Sequence, residues 1–107
     1  MKYSVIYTDK ARMNLRKMDR SSAAMIYSWI TKNLEGTSDP YRMGKSFKGD
    51  LKRVWRYRVG DFRIFTVIEG DVLTIFLIEI RNREHAYDDP IDFEEYQEEY
   101  QKLKESP

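Results

Sequence analysis

The chain contains no cysteine and a single histidine, His85. Without thiols there is no disulfide to staple the fold and no thiolate to hold a metal or attack a substrate. One imidazole does not assemble a zinc site, which draws on several histidine, cysteine or carboxylate ligands. The lack of cysteine fits a reducing compartment, and a cytoplasmic location is the expectation. No apolar run approaches the ~18 residues of a membrane span, and Met1-Lys2-Tyr3-Ser4 does not open an apolar signal-peptide core. Internal repeats and low-complexity stretches are absent too. What is there is 107 residues, 41% hydrophobic and 35% charged, which makes one domain with a modest core.

A net charge of +1 conceals a division along the chain. Residues 1–87 carry 17 basic against 10 acidic side chains, and residues 88–107 carry 2 against 8. A basic body followed by an acidic extension points to nucleic-acid contact.

Tyr3–Tyr7 reads as a first strand. Thr8 is placed to cap a helix reaching about Asp19, with Ala11, Leu15 and Met18 on its apolar side. Arg12, Arg16 and Arg20 form a row on another side of that helix. A solvated surface is the favoured reading of the row, with contacts to an RNA backbone as the alternative. Ser21 or Ser22 is expected to cap a second helix whose stripe includes Met25, Ile26, Trp29, Ile30 and Leu34, ended by Gly36. Trp29 is read as core. Residues 37–48 read as a loop, and three strands follow: 53–59, 62–69 and 72–80. The run Val72–Ile78 is almost wholly apolar, as in a central strand covered on both faces. The order β-α-α-β-β-β defines an α+β domain: an antiparallel sheet covered on one face by a helical hairpin, plus a C-terminal helix. Residues 1–87 form the body, and 88–107 an acidic helical extension with a Phe93, Tyr96, Tyr100, Leu103 seam.

The informative stretch is Lys52–Arg63. Trp55, Tyr57 and Val59 alternate with Arg56 and Arg58, as on a half-buried strand. If Gly60-Asp61 is the whole turn, Arg58 faces Arg63 across the hairpin. Like charges set directly opposite are destabilising, so an anionic partner is the natural reason for the arrangement. Arg81, Arg83 and Tyr87 lie just beyond the third strand. Arginine offers charged, bidentate donors suited to phosphate, and a tyrosine can stack on a base. Such a group suits RNA cleavage, in which a 2′-OH attacks phosphorus and charge builds on the phosphoryl oxygens, with no metal required. Strict alternation puts Arg81 out of phase with Arg63, so the cluster closes only if the third strand ends or bulges near Glu79 and Ile80.

The strings Phe47-Lys48-Gly49, Trp55-Arg56-Tyr57-Arg58-Val59-Gly60-Asp61-Phe62-Arg63-Ile64 and Arg81-Asn82-Arg83 with Tyr87 resemble the RelE branch of the RelE/ParE superfamily, toxins of type II toxin–antitoxin systems. The resemblance covers residues 1–87. It implies a metal-independent, ribosome-dependent mRNA endonuclease that cuts in the A site, leaves a 2′,3′-cyclic phosphate and is bound by a cognate antitoxin. Carried over by position, Arg56 and Arg58 fall where the family places two basic residues, often lysines, one a proposed general base. Arg63 matches a phosphate-stabilising arginine, Arg81 a proposed general acid, and Tyr87 an aromatic that orients the nucleotide. Lys48, Lys52, Arg53 and Arg83 are further RNA-binding candidates beside the arginine row. An arginine at 58 does not act as a base, so either catalysis is mainly electrostatic or His85 accepts the proton; a solvated loop histidine is the slightly favoured reading. The alternatives are a gyrase poison of the ParE kind and a non-catalytic RNA-binding member. For the acidic extension, packing is favoured over shielding of the arginines.

Overall fold

The computed structural model describes residues 1–47 and 53–106. Its elements are β1 (Ser4–Tyr7), α1 (Asp9–Lys17), α2 (Arg20–Asn33), β2 (Lys45–Ser46), β3 (Val54–Val59), β4 (Phe62–Glu69), β5 (Thr74–Asn82) and α3 (Glu94–Glu105). The expected lysines Lys48 and Lys52, and the Lys48-Gly49 part of the first motif, lie outside the described residues. Among these there is no helix long and apolar enough to cross a membrane.

The sheet order is β1-β5-β4-β3-β2. The β3-β4-β5 meander is antiparallel, as expected. β1 joins its edge parallel to β5, which makes the sheet mixed. The loop read over 37–48 contains one more, very short strand, β2, paired with β3. β5 therefore sits between two neighbours and is covered on both faces, in keeping with its apolar sequence.

Thr8 caps α1 by accepting from the Ala11 N–H. The second cap differs from expectation: Asp19, not a serine, caps α2, its carboxylate accepting from the Ser22 N–H and hydroxyl. A carboxylate there answers both the unpaired amides and the positive end of the helix. Those bonds hold the Asp19 carboxyl below its ordinary range, the Ser22 hydroxyl first. α1 and α2 close one sheet face with Ala11, Leu15, Ile26, Ile30 and Leu34 on Tyr57, Ile64, Ile75, Leu77 and Ile80. Trp29 packs into this layer beside Tyr57, as core.

The other face is covered only in part. Phe76 and Ile78 of β5 and Val67 of β4 pack with Ile91 and Tyr96. Phe93, Tyr100 and Leu103 complete the expected seam, so α3 packs on the sheet. Polar contacts reinforce it: Glu95 accepts from the first amides of α1 at Asp9 and Lys10, Tyr96 donates to Glu69, and Tyr100 donates to Asp71. Burial, followed by the bond to Glu69, pushes the Tyr96 hydroxyl well above its ordinary range. α3 starts at Glu94, later than the acidic run suggests, and the carbonyls of Ala86, Asp89 and Pro90 before it accept from the Arg81 side chain.

Candidate functional site

The site is built at the end of the sheet face that α3 leaves open. Val59 pairs with Phe62 and Arg58 with Arg63, so Gly60-Asp61 is the whole turn. Gly60 takes a positive φ of 56° at the first turn position, where glycine carries no steric penalty. Arg56 and Arg58 then share a face with Arg63, opposite the buried Tyr57 and Val59.

On β5 the required bulge is present. Phe65 pairs with Glu79 but Thr66 pairs with Leu77, leaving Ile78 as the extra residue. Past that point Glu79 and Arg81 lie on the same face as Ile78, and Arg81 pairs with Arg63. Groups from α1 hold the irregular backbone. The Thr8 hydroxyl reaches the Leu77 and Ile78 carbonyls at 2.7 and 3.0 Å, and Asn14 accepts from the Ile80 N–H at 2.9 Å.

Lys45, Arg56, Arg58, Arg63, Arg83 and Tyr87 line one depression of about 240 Å³ with no carboxylate among them. A second, of about 500 Å³, adjoins it and is lined by Lys45, Ser46, Phe47, Arg56 and Tyr87. Phe47, Phe65 and Tyr87 form an aromatic group with ring centroids 5.3–6.3 Å apart. The Arg56 guanidinium lies 5.6 Å from the Tyr87 ring, and the tyrosine is half-exposed. Cationic donors thus stand beside aromatic faces, the pairing that a nucleotide's phosphate and base each need.

The electrostatics are those of crowding. Partial burial, then repulsion from Arg58, Arg56 and Arg83, lowers the Arg63 guanidinium from its ordinary value. Among the described residues, its bonds go to the Gly60 and Phe62 carbonyls. Arg83 has a loose, exposed partner in Asp61 at 3.7 Å.

Several predicted site residues do not line the cluster. Arg81 has the right register but does not line the cationic depression; its guanidinium lies over the Phe65 ring. It forms a two-pronged pair with Glu79 at 2.6 and 3.1 Å and donates to the carbonyls of Ala86, Asp89 and Pro90. All five of its N–H donors are thereby used. Arg53, expected to contact RNA, instead pairs with Glu69 at 3.1 Å and donates to Tyr96, which ties it to the α3 anchor. Arg12, Arg16 and Arg20 are exposed on the helical layer behind the opposite sheet face, with Arg12 near Asp9 at 3.7 Å. None of them, and no glutamate of α3, lines the two depressions.

His85 is solvent-exposed, bonded through Nδ1 to Asp88 at 2.9 Å, and it does not line the cluster. That hydrogen bond, followed by the Asp88 charge, raises its pKa. A raised folded value means that the contact stabilises the fold below the ordinary imidazole pKa of about 6.5 and ceases to do so as pH climbs through the raised value. His85→Gln is expected to leave RNA cleavage and its pH profile unchanged and to remove this pH dependence from thermal melts; a flattened cleavage profile would return the histidine to the site.

Lys45 and Ser46 were not legible as site residues. The signal was Gly44, which takes φ +84° and on which a Cβ would lie 2.5 Å from the Arg56 carbonyl oxygen. That close approach lets β2 dock on β3.

With this geometry in place, comparison with known proteins gives the class. Residues 5–87 match the model described as the ParE toxin of the type II toxin–antitoxin system parDE. The chain belongs to that family, within the RelE/ParE superfamily, and is a toxin of a type II toxin–antitoxin system. Among solved structures it is similar to one of the RelBE2 toxin–antitoxin complex of Mycobacterium tuberculosis, at 24% identity and TM-score 0.70, over 78% of this chain and 100% of that one. The archaeal RelE–RelB complex of Pyrococcus horikoshii matches at 20% identity and TM-score 0.60, over 80% and 100%. A free mutant of Escherichia coli RelE matches at 13% and 0.60, over 95% and 98%. At these identities the likeness is one of fold. No curated protein sequence matches the chain.

Proposed function

We propose that this toxin is a metal-independent, ribosome-dependent mRNA endonuclease that cuts in the A site and so inhibits translation. The observation that carries the reading is the open cluster of Arg56, Arg58, Arg63 and Arg83 beside the Tyr87 and Phe47 rings, with no carboxylate lining it and only the loose, exposed Asp61 beside Arg83 at 3.7 Å among the described residues. Arg58 and Arg63 hold the scissile phosphate, Arg56 and Arg83 close on it from either side, and Tyr87 stacks on the adjacent base. The 2′-OH attacks phosphorus, the 5′ oxygen leaves, and the guanidinium groups stabilise charge on the phosphoryl oxygens. Arg81 has no donor left for the leaving oxygen, which takes its proton from water. The partners are mRNA on the ribosome and, by similarity to relatives whose structures are of toxin–antitoxin complexes, a cognate antitoxin that covers the basic depression. The working compartment is the cytoplasm.

A second reading, a gyrase inhibitor of the ParE kind, is favoured by the name of the matching family. Cell-free translation separates the two. Message cut in frame on ribosomes is the expected result. Intact message with DNA breaks in the presence of gyrase would establish the second reading, and neither product would leave a non-catalytic RNA-binding member.

A further inference from the structure

We propose that Lys45, on the short edge strand β2, is the catalytic residue that accepts the 2′-OH proton; this rests on the nuclease reading above. Gly44 presses β2 against β3, and Lys45 falls in register opposite Arg56. Directly opposed residues of an antiparallel pair project to the same face, so Lys45 joins Arg56 and Arg58 on the open side. It lines both depressions, the cationic one and the aromatic one, and so stands at their junction.

Among the described residues, the chemistry of its neighbours singles it out. Those described residues that line the cationic depression with it are Arg56 and Arg58 from β3, Arg63 from β4, Arg83 from the turn after β5, and Tyr87. A guanidinium does not give up its proton in proteins, so none of the four arginines serves as a base. His85 points to Asp88, outside the cluster. Among the described residues Lys45 has no carboxylate partner, and it is the one amine lining the cationic depression. The Nζ lone pair takes the proton as the O2′–P bond forms and the P–O5′ bond breaks. Water protonates the departing 5′ oxygen, and the ammonium returns its proton to solvent, so protons balance over a turnover.

The test is single-turnover cleavage of ribosome-bound message between pH 6 and 9 by the wild-type chain, Lys45→Arg and Lys45→Ala. Wild-type rates are expected to rise with pH. Lys45→Arg keeps the positive charge and the fold but is expected to lose ~10²–10⁴-fold in rate, the scale of general-base catalysis, and to lose that rise. Affinity for the programmed ribosome should stay within a few-fold, and added ethylamine should restore part of the Lys45→Ala rate. A Lys45→Arg chain that cuts at the wild-type rate with the same pH profile overturns the assignment while leaving the nuclease reading intact. A wild-type chain that leaves message uncut overturns the nuclease reading itself.

Discussion

Arg81→Ala is expected to lower stability by about 3–5 kcal/mol, the cost of stripping one partner from a buried ion pair. Its side chain is 10% exposed and that of Glu79 13%, so truncation leaves a carboxylate largely shut off from water. Three carbonyls, those of Ala86, Asp89 and Pro90, lose a donor at the same time. For a domain of this size the loss corresponds to a fall in Tm of roughly 10–20 °C. Glu79→Gln should cost less, because an amide oxygen still accepts from the guanidinium. Glu79→Ala combined with Arg81→Ala should cost less than the sum of the two single changes, since the orphaned charge is gone. Thermal melts of the four variants check this. The result separates an arginine that fastens the segment carrying Arg83 and Tyr87 from one that donates to substrate. An unchanged Tm with cleavage abolished would put Arg81 back at the reacting atoms.

The second large effect runs the opposite way. Arg63→Ala is expected to cut the cleavage rate ~10²–10³-fold, as when one preorganised donor to developing charge is removed. Stability should change little or rise, because Arg63 lies opposite both Arg58 and Arg81 and, among the described residues, its bonds reach two turn carbonyls. Arg63→Lys keeps the charge but loses the fork, so it should recover only part of the rate. Single-turnover cleavage and melts on the same preparations give both halves of the prediction. A large stability loss at Arg63 with proportionate loss of activity would mark the residue as structural. The opposed outcomes at 63 and 81 are the sharpest consequence of the two arginines pairing in register yet pointing to different neighbours.

Most of the architecture was written in local patterns. Alternation in Trp55–Val59 and the Gly60-Asp61 turn fix which side of β3 and β4 bears arginine, since a two-residue turn leaves one register. The apolar run in β5 announces a strand with layers on both faces, and the observed packing has both. The sequence also showed that Arg81 needs a bulge to share a face with Arg63, because alternation is a strict period of two. Where Arg81 then points was not legible. Its fate depends on Glu79 and on three carbonyls of residues 86–90, and carbonyl directions leave no trace in residue identity. The contacts of Arg53 were not legible for a similar reason: its partner Glu69 is the cross-strand end of β4, and the tyrosine completing the contact arrives from α3. Asp19 outcompeted two serines for the α2 cap because one carboxylate serves both an amide and a hydroxyl of Ser22. Lys45 escaped notice because a two-residue strand carries no periodicity. Only the backbone contact at Gly44 reveals its register.

An open guanidinium cluster that takes RNA phosphate is the central claim, and salt dependence of binding reads it most directly. For a 2′-O-methyl oligoribonucleotide, which resists cleavage, engagement of four arginines predicts a slope of log affinity against log salt of about −3, falling in magnitude by about 0.7 for each of Arg56, Arg58, Arg63 and Arg83 changed to alanine. Arg53→Ala should leave that slope where it was. A slope near zero, or one that the four cluster substitutions do not move, would contradict the account.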